Sequence, residues 1–141
     1  MTPSYKILLV DDHPMNRDLT SRILHKRGHQ VDVAKNGLLA FEKFQQTSYD
    51  IILMDLQMPV MDGLEATRKI RQYEQAQNSE GAVRARVPIV AMTAYDDDQE
   101  RSASKNAGMD GFISKPIDIK SIGSTLQQII ESSRPSADPP A

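Results

Sequence analysis

The sequence has no cysteine. This excludes disulfides, thiolate catalysis and cysteine-based zinc sites, and it favours a reducing cytoplasm as the compartment. An excess of basic charge is also missing, since 17 lysines and arginines stand against 19 acids for a net charge of -2. Such a balance disfavours non-specific binding to nucleic acid or to a membrane surface. We therefore expect protein partners.

Long hydrophobic runs are absent as well. No apolar stretch approaches the roughly 18 to 20 residues that span a bilayer. The first residues, MTPSYK, lack the charged and apolar regions of a signal peptide. No internal repeat or sustained heptad is visible. A chain of 141 residues suits one domain with a single core, and we expect a soluble intracellular module.

Short apolar runs alternate with amphipathic stretches along the chain. The runs predict buried strands near residues 7–10, 31–33, 51–54, 87–92 and 112–113. The stretches between them predict helices that begin near Pro14, Asn36, Asp62 and Asp96, and a last helix over residues 119–130. Five β-α units of this kind predict an α/β fold with a doubly wound parallel sheet.

Several local expectations follow from the same pattern. We expect Met15, Leu19 and Ile23 to form the core stripe of the first helix. Residues 74–86 lack an apolar stripe and are predicted to be a frayed helix end followed by a mobile loop without chemistry. The fourth helix offers only Ala103 and Ala107 to the core, so it should be loosely held.

Composition also predicts the limits of the domain. Residues 132–141, SSRPSADPPA, are rich in proline, serine and alanine, which is typical of a disordered tail or a linker. We expect residues 1–4 to be disordered and residues 5–131 to form the folded domain.

Five polar side chains stand where predicted strands end. They are Asp11, Asp12, Asp55, Thr93 and Lys115. The carboxyl ends of parallel strands share one edge of the sheet, so these groups should meet there. Carboxylates on adjacent strands, about 5 Å apart, repel by roughly 3 kcal/mol at an effective dielectric constant of about 20. A hard cation such as Mg²⁺ would offset this repulsion, and it prefers a few carboxylates together with a phosphate.

The remaining groups suit phosphoryl chemistry. Lys115 and Thr93 can contact the oxygens of a transferred phosphoryl group, which leaves Asp55 as the nucleophile. Each acid alone could instead be a turn former or a helix cap. The joint pattern at the ends of four separate runs favours the functional interpretation.

The motifs LLVDDHPMNR, ILMDLQMPVMDG, VAMTAY and GFISKPI, in this order, resemble the receiver domain of two-component response regulators. The resemblance covers nearly all of residues 5–131. It implies a flavodoxin-like (βα)5 fold in three α/β/α layers with strand order 2-1-3-4-5. It also implies that Asp55 takes a phosphoryl group from a phosphohistidine on a partner in a Mg²⁺-dependent reaction.

The resemblance further assigns roles to the site residues. Asp12 and Asp55 would ligate Mg²⁺, or Mn²⁺ as a second choice, together with the backbone carbonyl of Gln57. Asp11 would hold a metal-bound water. Lys115 would pair with the phosphoryl group or with Asp55, and Thr93 would hydrogen-bond a phosphoryl oxygen.

A second set of roles concerns the response to phosphorylation. Displacement of Thr93 would draw Phe112 inward and change the surface of the fourth helix, fifth strand and fifth helix, although Phe112 could equally be an ordinary half-buried aromatic. Gln57 and Tyr95 would tune hydrolysis of the phosphoaspartate, and a bulky Tyr95 favours a long-lived phosphoryl state. The bond between Lys115 and Pro116 would be cis.

The partners implied by the resemblance are proteins. The donor would be a histidine kinase or a histidine phosphotransfer domain, and the output would be a downstream protein or a homodimer. Neither nucleic acid nor membrane would be contacted directly. The length of residues 74–86, with MNR and DLQMPVMDG, resembles receivers of hybrid histidine kinases. The location would then be cytoplasmic, either free or within a membrane-anchored hybrid kinase.

This interpretation describes a signalling switch with self-phosphorylation and autodephosphorylation, not a metabolic enzyme. One alternative is a degenerate receiver that acts only by binding proteins. A phosphatase with an Asp nucleophile would need a second Asp two positions later, where His13 and Gln57 stand instead. A flavin-binding domain would need phosphate-binding donors after the first strand, where Asp11 and Asp12 stand.

Overall fold

The computed structural model describes residues 4–56, 58–79, 86–93, 98–115 and 120–133. Its strands are β1 (Lys6–Val10), β2 (Gln30–Ala34), β3 (Ile51–Asp55), β4 (Ile89–Thr93) and β5 (Gly111–Ser114). Its helices are α1 (Pro14–Lys26), α2 (Gly37–Gln46), α3 (Gly63–Ser79), α4 (Asp98–Ala107) and α5 (Ile122–Ser133). The strands pair in parallel in the order β2-β1-β3-β4-β5. The predicted α/β fold and strand order are confirmed.

The core lies on both faces of the sheet because successive strand residues point to opposite sides. In β1, Ile7 and Leu9 pack with residues of α1 and α5, whereas Leu8 and Val10 pack with residues of α2 and α3. Both faces of the central strands are therefore buried, which explains why β1, β3 and β4 read as continuous apolar runs.

Helix starts are fixed by side-chain caps. The Oδ1 of Asn36 accepts the N–H of Leu39 at 2.9 Å at the start of α2, and the Oδ1 of Asp62 accepts the N–H of Glu65 at 2.8 Å at the start of α3. These bonds satisfy amide groups that the first turn of a helix leaves without partners. The sequence predicted that both helices begin at these residues.

The predicted core stripe of α1 is wrong for two of its three residues. Met15 is 77% exposed and Leu19 is 60% exposed, while Ile23 is half-buried. The fully buried residue of α1 is Leu24. The helix is rotated so that the face through Arg17, Thr20 and Leu24 points inward. Met15 and Leu19 lie one turn apart and suggested a core-facing stripe, but neither side chain packs in the core.

The frayed helix end predicted at the start of residues 74–86 is wrong, and residues 80–85 of the predicted loop lie outside the described residues. Helix α3 continues to Ser79, and Glu74 is buried, with its carboxylate bonded to the main-chain N–H of Val87 at 2.7 Å. The sequence lacked an apolar stripe here because polar groups make the contacts.

In α4 the buried residues are Ser104 and Ala107, not Ala103 and Ala107. The predicted cap at Asp96 lies outside the described residues. Within those residues, no helix has the length and apolar character needed to cross a bilayer.

Candidate phosphoacceptor and metal site

Three carboxylates meet at the carboxyl ends of β1 and β3. Asp11 and Asp12 directly follow β1, and Asp55 is the last residue of β3, which pairs with β1. One carboxylate oxygen from each acid lies within 4.8 Å of the others. Asp11 and Asp55 are buried, and Asp12 is the most exposed of the three. This confirms that the chain gathers these acids in one place.

Lys115 lies between two of these acids. Its Nζ is 3.3 Å from Oδ2 of Asp55 and 3.4 Å from Oδ2 of Asp11, and its side chain is 22% exposed. The ammonium group therefore offsets part of the repulsion between the carboxylates. It also places a hydrogen-bond donor beside Asp55.

The end of β4 supplies Thr93, which is buried. In the sheet Thr93 pairs with Ser114, and the carbonyl oxygen of Thr93 accepts the N–H of Lys115 at 2.7 Å. The two residues are thus joined through the main chain beside the acid cluster. The structure brings together all five residues that the sequence placed at this edge.

The loop after β1 is fixed by contacts with Asp11. Its N–H donates to the carbonyl oxygen of Ala34 at 3.1 Å, and its Oδ1 accepts the N–H of His13 at 2.9 Å. Its carbonyl oxygen accepts a hydrogen bond from Nη1 of Arg17 at 2.9 Å. The sequence analysis gave Arg17 no role. The available signal was a cation in the first turn of a helix, where the macrodipole disfavours positive charge.

The loop after β3 turns sharply beside Asp55. Val60 has φ of 72°, and the N–H of Met61 donates to the carbonyl oxygen of Pro59 at 2.8 Å. A hydrogen bond across one residue with positive φ is a γ-turn, which is rare and strained for a side chain branched at Cβ. The N–H of Gly37 donates to the carbonyl oxygen of Met61 at 3.0 Å, and this contact holds the turn.

Phe112 is half-buried on β5, and the guanidinium carbon of Arg101 in α4 lies 4.7 Å from its ring centroid. This distance is within the range of a cation–π contact. Beside the ring is a cavity of about 320 Å³ whose lining includes Lys105 and Met109. The three other predicted site residues, Gln57, Tyr95 and Pro116, lie outside the described residues.

The acid cluster has the chemistry of a site for a hard divalent cation. Mg²⁺ is coordinated by oxygen at about 2.0–2.1 Å and binds through one or two carboxylates plus waters and phosphate oxygens. Three carboxylates within 4.8 Å, one of them open to solvent, fit that requirement.

Residues 7–127 match the family model of the response regulator receiver domain. The chain is 37% identical to histidine kinase 5 of Arabidopsis thaliana over an alignment of 147 positions, gaps included, which covers 92% of this chain and 16% of the kinase. It is 41% identical to hybrid signal transduction histidine kinase G of Dictyostelium discoideum, over 86% of this chain and 3% of the kinase. The chain thus spans a small part of these curated relatives.

Solved structures agree with this match. One is the receiver domain of a sensor histidine kinase from Pseudomonas aeruginosa with a magnesium ion coordinated in its active site cleft. Its TM-score is 0.78 at 34% identity, and the alignment covers 92% of this chain and 99% of that one. Another is the receiver domain of the Saccharomyces cerevisiae response regulator Ssk1, crystallised with the phosphotransfer protein Ypd1.

The yeast receiver has a TM-score of 0.86 at 26% identity and covers 98% of this chain and 97% of that one. Sequence, fold and the position of the acid cluster therefore lead to one conclusion. The chain belongs to the family of response regulator receiver domains.

Proposed function

We propose that this receiver accepts a phosphoryl group on Asp55 from a phosphohistidine of a partner protein and acts as a switch in a two-component or phosphorelay system. The observation that carries the proposal is the cluster of Asp11, Asp12 and Asp55 with Lys115 beside it. In the reaction a carboxylate oxygen of Asp55 bonds to phosphorus as the P–N bond of the donor breaks. The electron pair of that bond returns to the imidazole of the donor.

The acids would hold Mg²⁺ during this transfer. We assign Asp12 and Asp55 as direct ligands, with the backbone carbonyl of Gln57, and Asp11 as the partner of a metal-bound water. When bound, the metal neutralises charge on the phosphoryl oxygens. The magnesium ion in the Pseudomonas aeruginosa receiver supports this choice. Mn²⁺ accepts similar oxygen ligands.

Lys115 and Thr93 would stabilise the phosphoryl group once it is attached. The Nζ of Lys115 already lies beside Oδ2 of Asp55, so a transferred group there would meet an ammonium donor. Thr93 would donate its hydroxyl to a phosphoryl oxygen. Thr93 pairs with Ser114 of β5, and Lys115 directly follows β5. Movement of these two residues would therefore shift Phe112 and the surface formed by α4, β5 and α5.

Two finer assignments are also proposals. Gln57 and Tyr95 would control the access of water to phosphoaspartate, and the bond between Lys115 and Pro116 would be cis. Both assignments are supported by the match of residues 7–127 to the receiver family, because this range contains all four residues.

The donor would dock beside the site on α1. Met15 and Leu19 lie one turn apart on this helix and are strongly exposed, although both are apolar. The helix begins two residues after Asp12, so this patch lies close to the acids. The crystal structure of Ssk1 with Ypd1 shows that one relative binds a phosphotransfer protein. A donor with an apolar face would bury both side chains.

The size of the relatives supports a hybrid kinase as the parent protein. Curated relatives with similar receivers are named as histidine kinases and are much longer than this chain. We propose that the receiver, predicted over residues 5–131, belongs to such a kinase within the cytoplasm. Helix α5 extends two residues beyond that bound, to Ser133, so the proposed tail or linker begins after this helix.

Phosphorylation can be tested directly with acetyl phosphate and with beryllofluoride. The wild type should gain the mass of one phosphoryl group in Mg²⁺ but not in EDTA, and Asp55→Asn should gain none. Asp18→Asn is the matched control, because Asp18 is exposed on α1 away from the acids. If the wild type neither gains mass nor changes its spectrum with beryllofluoride, the chain is a protein-binding module and the proposal is wrong.

The docking face can be tested with a phosphorylated phosphotransfer protein such as Ypd1. Leu19→Asp should slow transfer from this protein at least tenfold, while labelling by acetyl phosphate should be unchanged. Equal loss with both donors would show that the substitution damages the site itself and would contradict the docking assignment.

A further inference from the structure

The Asp11–Asp12 peptide needs an external support if Asp12 is to act as a metal ligand. A peptide unit is planar, so the direction of the Asp11 carbonyl sets the orientation of the unit that leads into Asp12. The carboxylate of Asp12 is the most exposed of the three acids, so few packing contacts constrain it. Its position is therefore determined mainly by its own backbone.

Arg17 supplies that support. Its Nη1 donates to the carbonyl oxygen of Asp11 at 2.9 Å, and Arg17 is half-buried between the exposed residues Asn16 and Asp18. The side chain therefore folds back from the first turn of α1 toward the end of β1. The same carbonyl belongs to the peptide unit that precedes Asp12.

The placement of Arg17 opposes the preference of the helix itself. Helix N-termini favour acids and disfavour cations. The first turn of α4 carries Arg101 together with the acids Asp98 and Glu100, whereas that of α1 carries Arg17 without an acid; α2 and α5 have no acid in the first turn either. A local preference that is broken beside a functional site indicates that the site requires the residue.

We propose that Arg17 is a positioning residue for the metal site: by holding the Asp11 carbonyl, it fixes the peptide that presents Asp12 to Mg²⁺. This inference rests on the proposed function, because it assumes that the acids bind Mg²⁺. The guanidinium is also a positive charge near the cation, which alone would weaken binding. The proposal states that orientation outweighs this repulsion.

The test is the Mg²⁺ affinity of the chain, measured without any phosphodonor from the NMR shifts of backbone amides during a Mg²⁺ titration. Arg17→Ala should weaken Mg²⁺ binding about tenfold, the effect expected when a group that orients a metal ligand is removed. Arg17→Lys should restore part of it, because an ammonium can donate to the same carbonyl. Arg22→Ala removes an exposed arginine from the same helix and should leave the affinity unchanged.

A kinetic readout separates positioning from general destabilisation. The rate of labelling by acetyl phosphate should fall in Arg17→Ala at low Mg²⁺ and recover when Mg²⁺ saturates the variant. Unchanged or tighter Mg²⁺ binding by Arg17→Ala, or an equal loss in Arg22→Ala, would overturn the proposal. Should Arg17→Ala fail to fold, Arg17→Lys and Arg17→Gln provide the same comparison. If the wild type itself binds no Mg²⁺, the proposed function fails instead.

Discussion

His29 is a buried titratable residue far from the acid cluster. It lies just before β2, its Nδ1 accepts the N–H of Tyr5 at 3.1 Å, and its ring stacks on that of Tyr5. Burial, with a smaller effect from the charge of Arg27, lowers the pKa of His29 below its usual 6.5. The neutral ring is thus the form that the fold accommodates.

The direction of this pKa shift predicts acid sensitivity. Below pH 6.5 the unfolded chain binds a proton at His29 more readily than the folded chain, so the free energy of unfolding should fall as the pH drops toward the folded pKa. His29→Asn keeps an acceptor near Tyr5 and should reduce the slope between pH 7.5 and 5.5 in urea titrations. Equal slopes in wild type and His29→Asn would contradict the assignment.

Gly63 is required by the path of the chain next to Asp55. A Cβ at this position would overlap the carbonyl oxygen of Asp55 and lie 2.9 Å from Cγ of Met54. Helix α3 therefore starts in direct contact with the backbone of Asp55, and a side chain at position 63 would push on that backbone.

Gly63→Ala should lower the free energy of unfolding by about 1–3 kcal/mol, as overpacking does, and should slow labelling by acetyl phosphate. Gly123→Ala is the control, since the nearest atom to a Cβ there, Nη1 of Arg27, is 4.0 Å away. It should be neutral or stabilise α5 by up to about 1 kcal/mol. Urea unfolding and labelling rates measure both effects, and normal labelling by Gly63→Ala would show that Asp55 tolerates the shift.

Among the elements, α3 is fixed to β4 and β5 by a network of charges. Arg71 donates to Glu74 and to Asp110, each at 2.7 Å, and its Nε donates to the carbonyl oxygen of Gly108 at 2.9 Å. Asp110 also pairs with Arg86 and accepts the N–H of Ile89 at 3.0 Å. The network joins the end of α3 to the amino ends of both strands.

Arg71→Met should destabilise the protein by up to about 3–5 kcal/mol, because it leaves the buried Glu74 carboxylate without its arginine and leaves Asp110 with Arg86 as its remaining arginine. Arg22→Met breaks an exposed pair with Asp18 and should cost less than about 1 kcal/mol. Urea unfolding measures both values. Similar costs for the two variants would mean that the network contributes no more than a surface pair.

The sequence predicted elements well where apolar residues make the contacts. The runs that became β1, β3 and β4 are buried on both faces, so their pattern has one interpretation. The sequence-based prediction failed where polar groups make the contacts and where apolar residues remain exposed. Glu74 is buried through hydrogen bonds that no periodicity reveals, and Leu19 was placed in the core although it faces solvent.

The same contrast holds for the site. The acids, Thr93 and Lys115 were predictable because each directly follows an apolar run, and strand ends share one edge. Arg17 could not be predicted in this way. Its role depends on which face of α1 turns inward, and this is set by the packing of Leu24.

For the whole molecule, the proposed metal site should link stability to Mg²⁺. Without metal, Asp12 adds charge beside two other carboxylates. Asp12→Asn should therefore raise the free energy of unfolding in EDTA by about 1–3 kcal/mol. The wild type should gain about 1.4 kcal/mol when Mg²⁺ reaches ten times its dissociation constant, and Asp12→Asn should gain much less. Thermal unfolding with and without Mg²⁺ tests both; a variant less stable than wild type in EDTA would refute the repulsion argument.

The charged network and the reactive groups occupy opposite ends of the same two strands. Arg71 and Asp110 hold β4 and β5 at their amino ends, whereas Thr93 and Lys115 are joined to each other at the carboxyl ends. A five-residue strand is about 15 Å long and scarcely stretches. We therefore expect the positions of Thr93 and Lys115 relative to Asp55 to depend partly on Arg71 at the opposite end of these strands. A substitution of Arg71 should then slow the proposed phosphoryl transfer although Arg71 lies outside the candidate site.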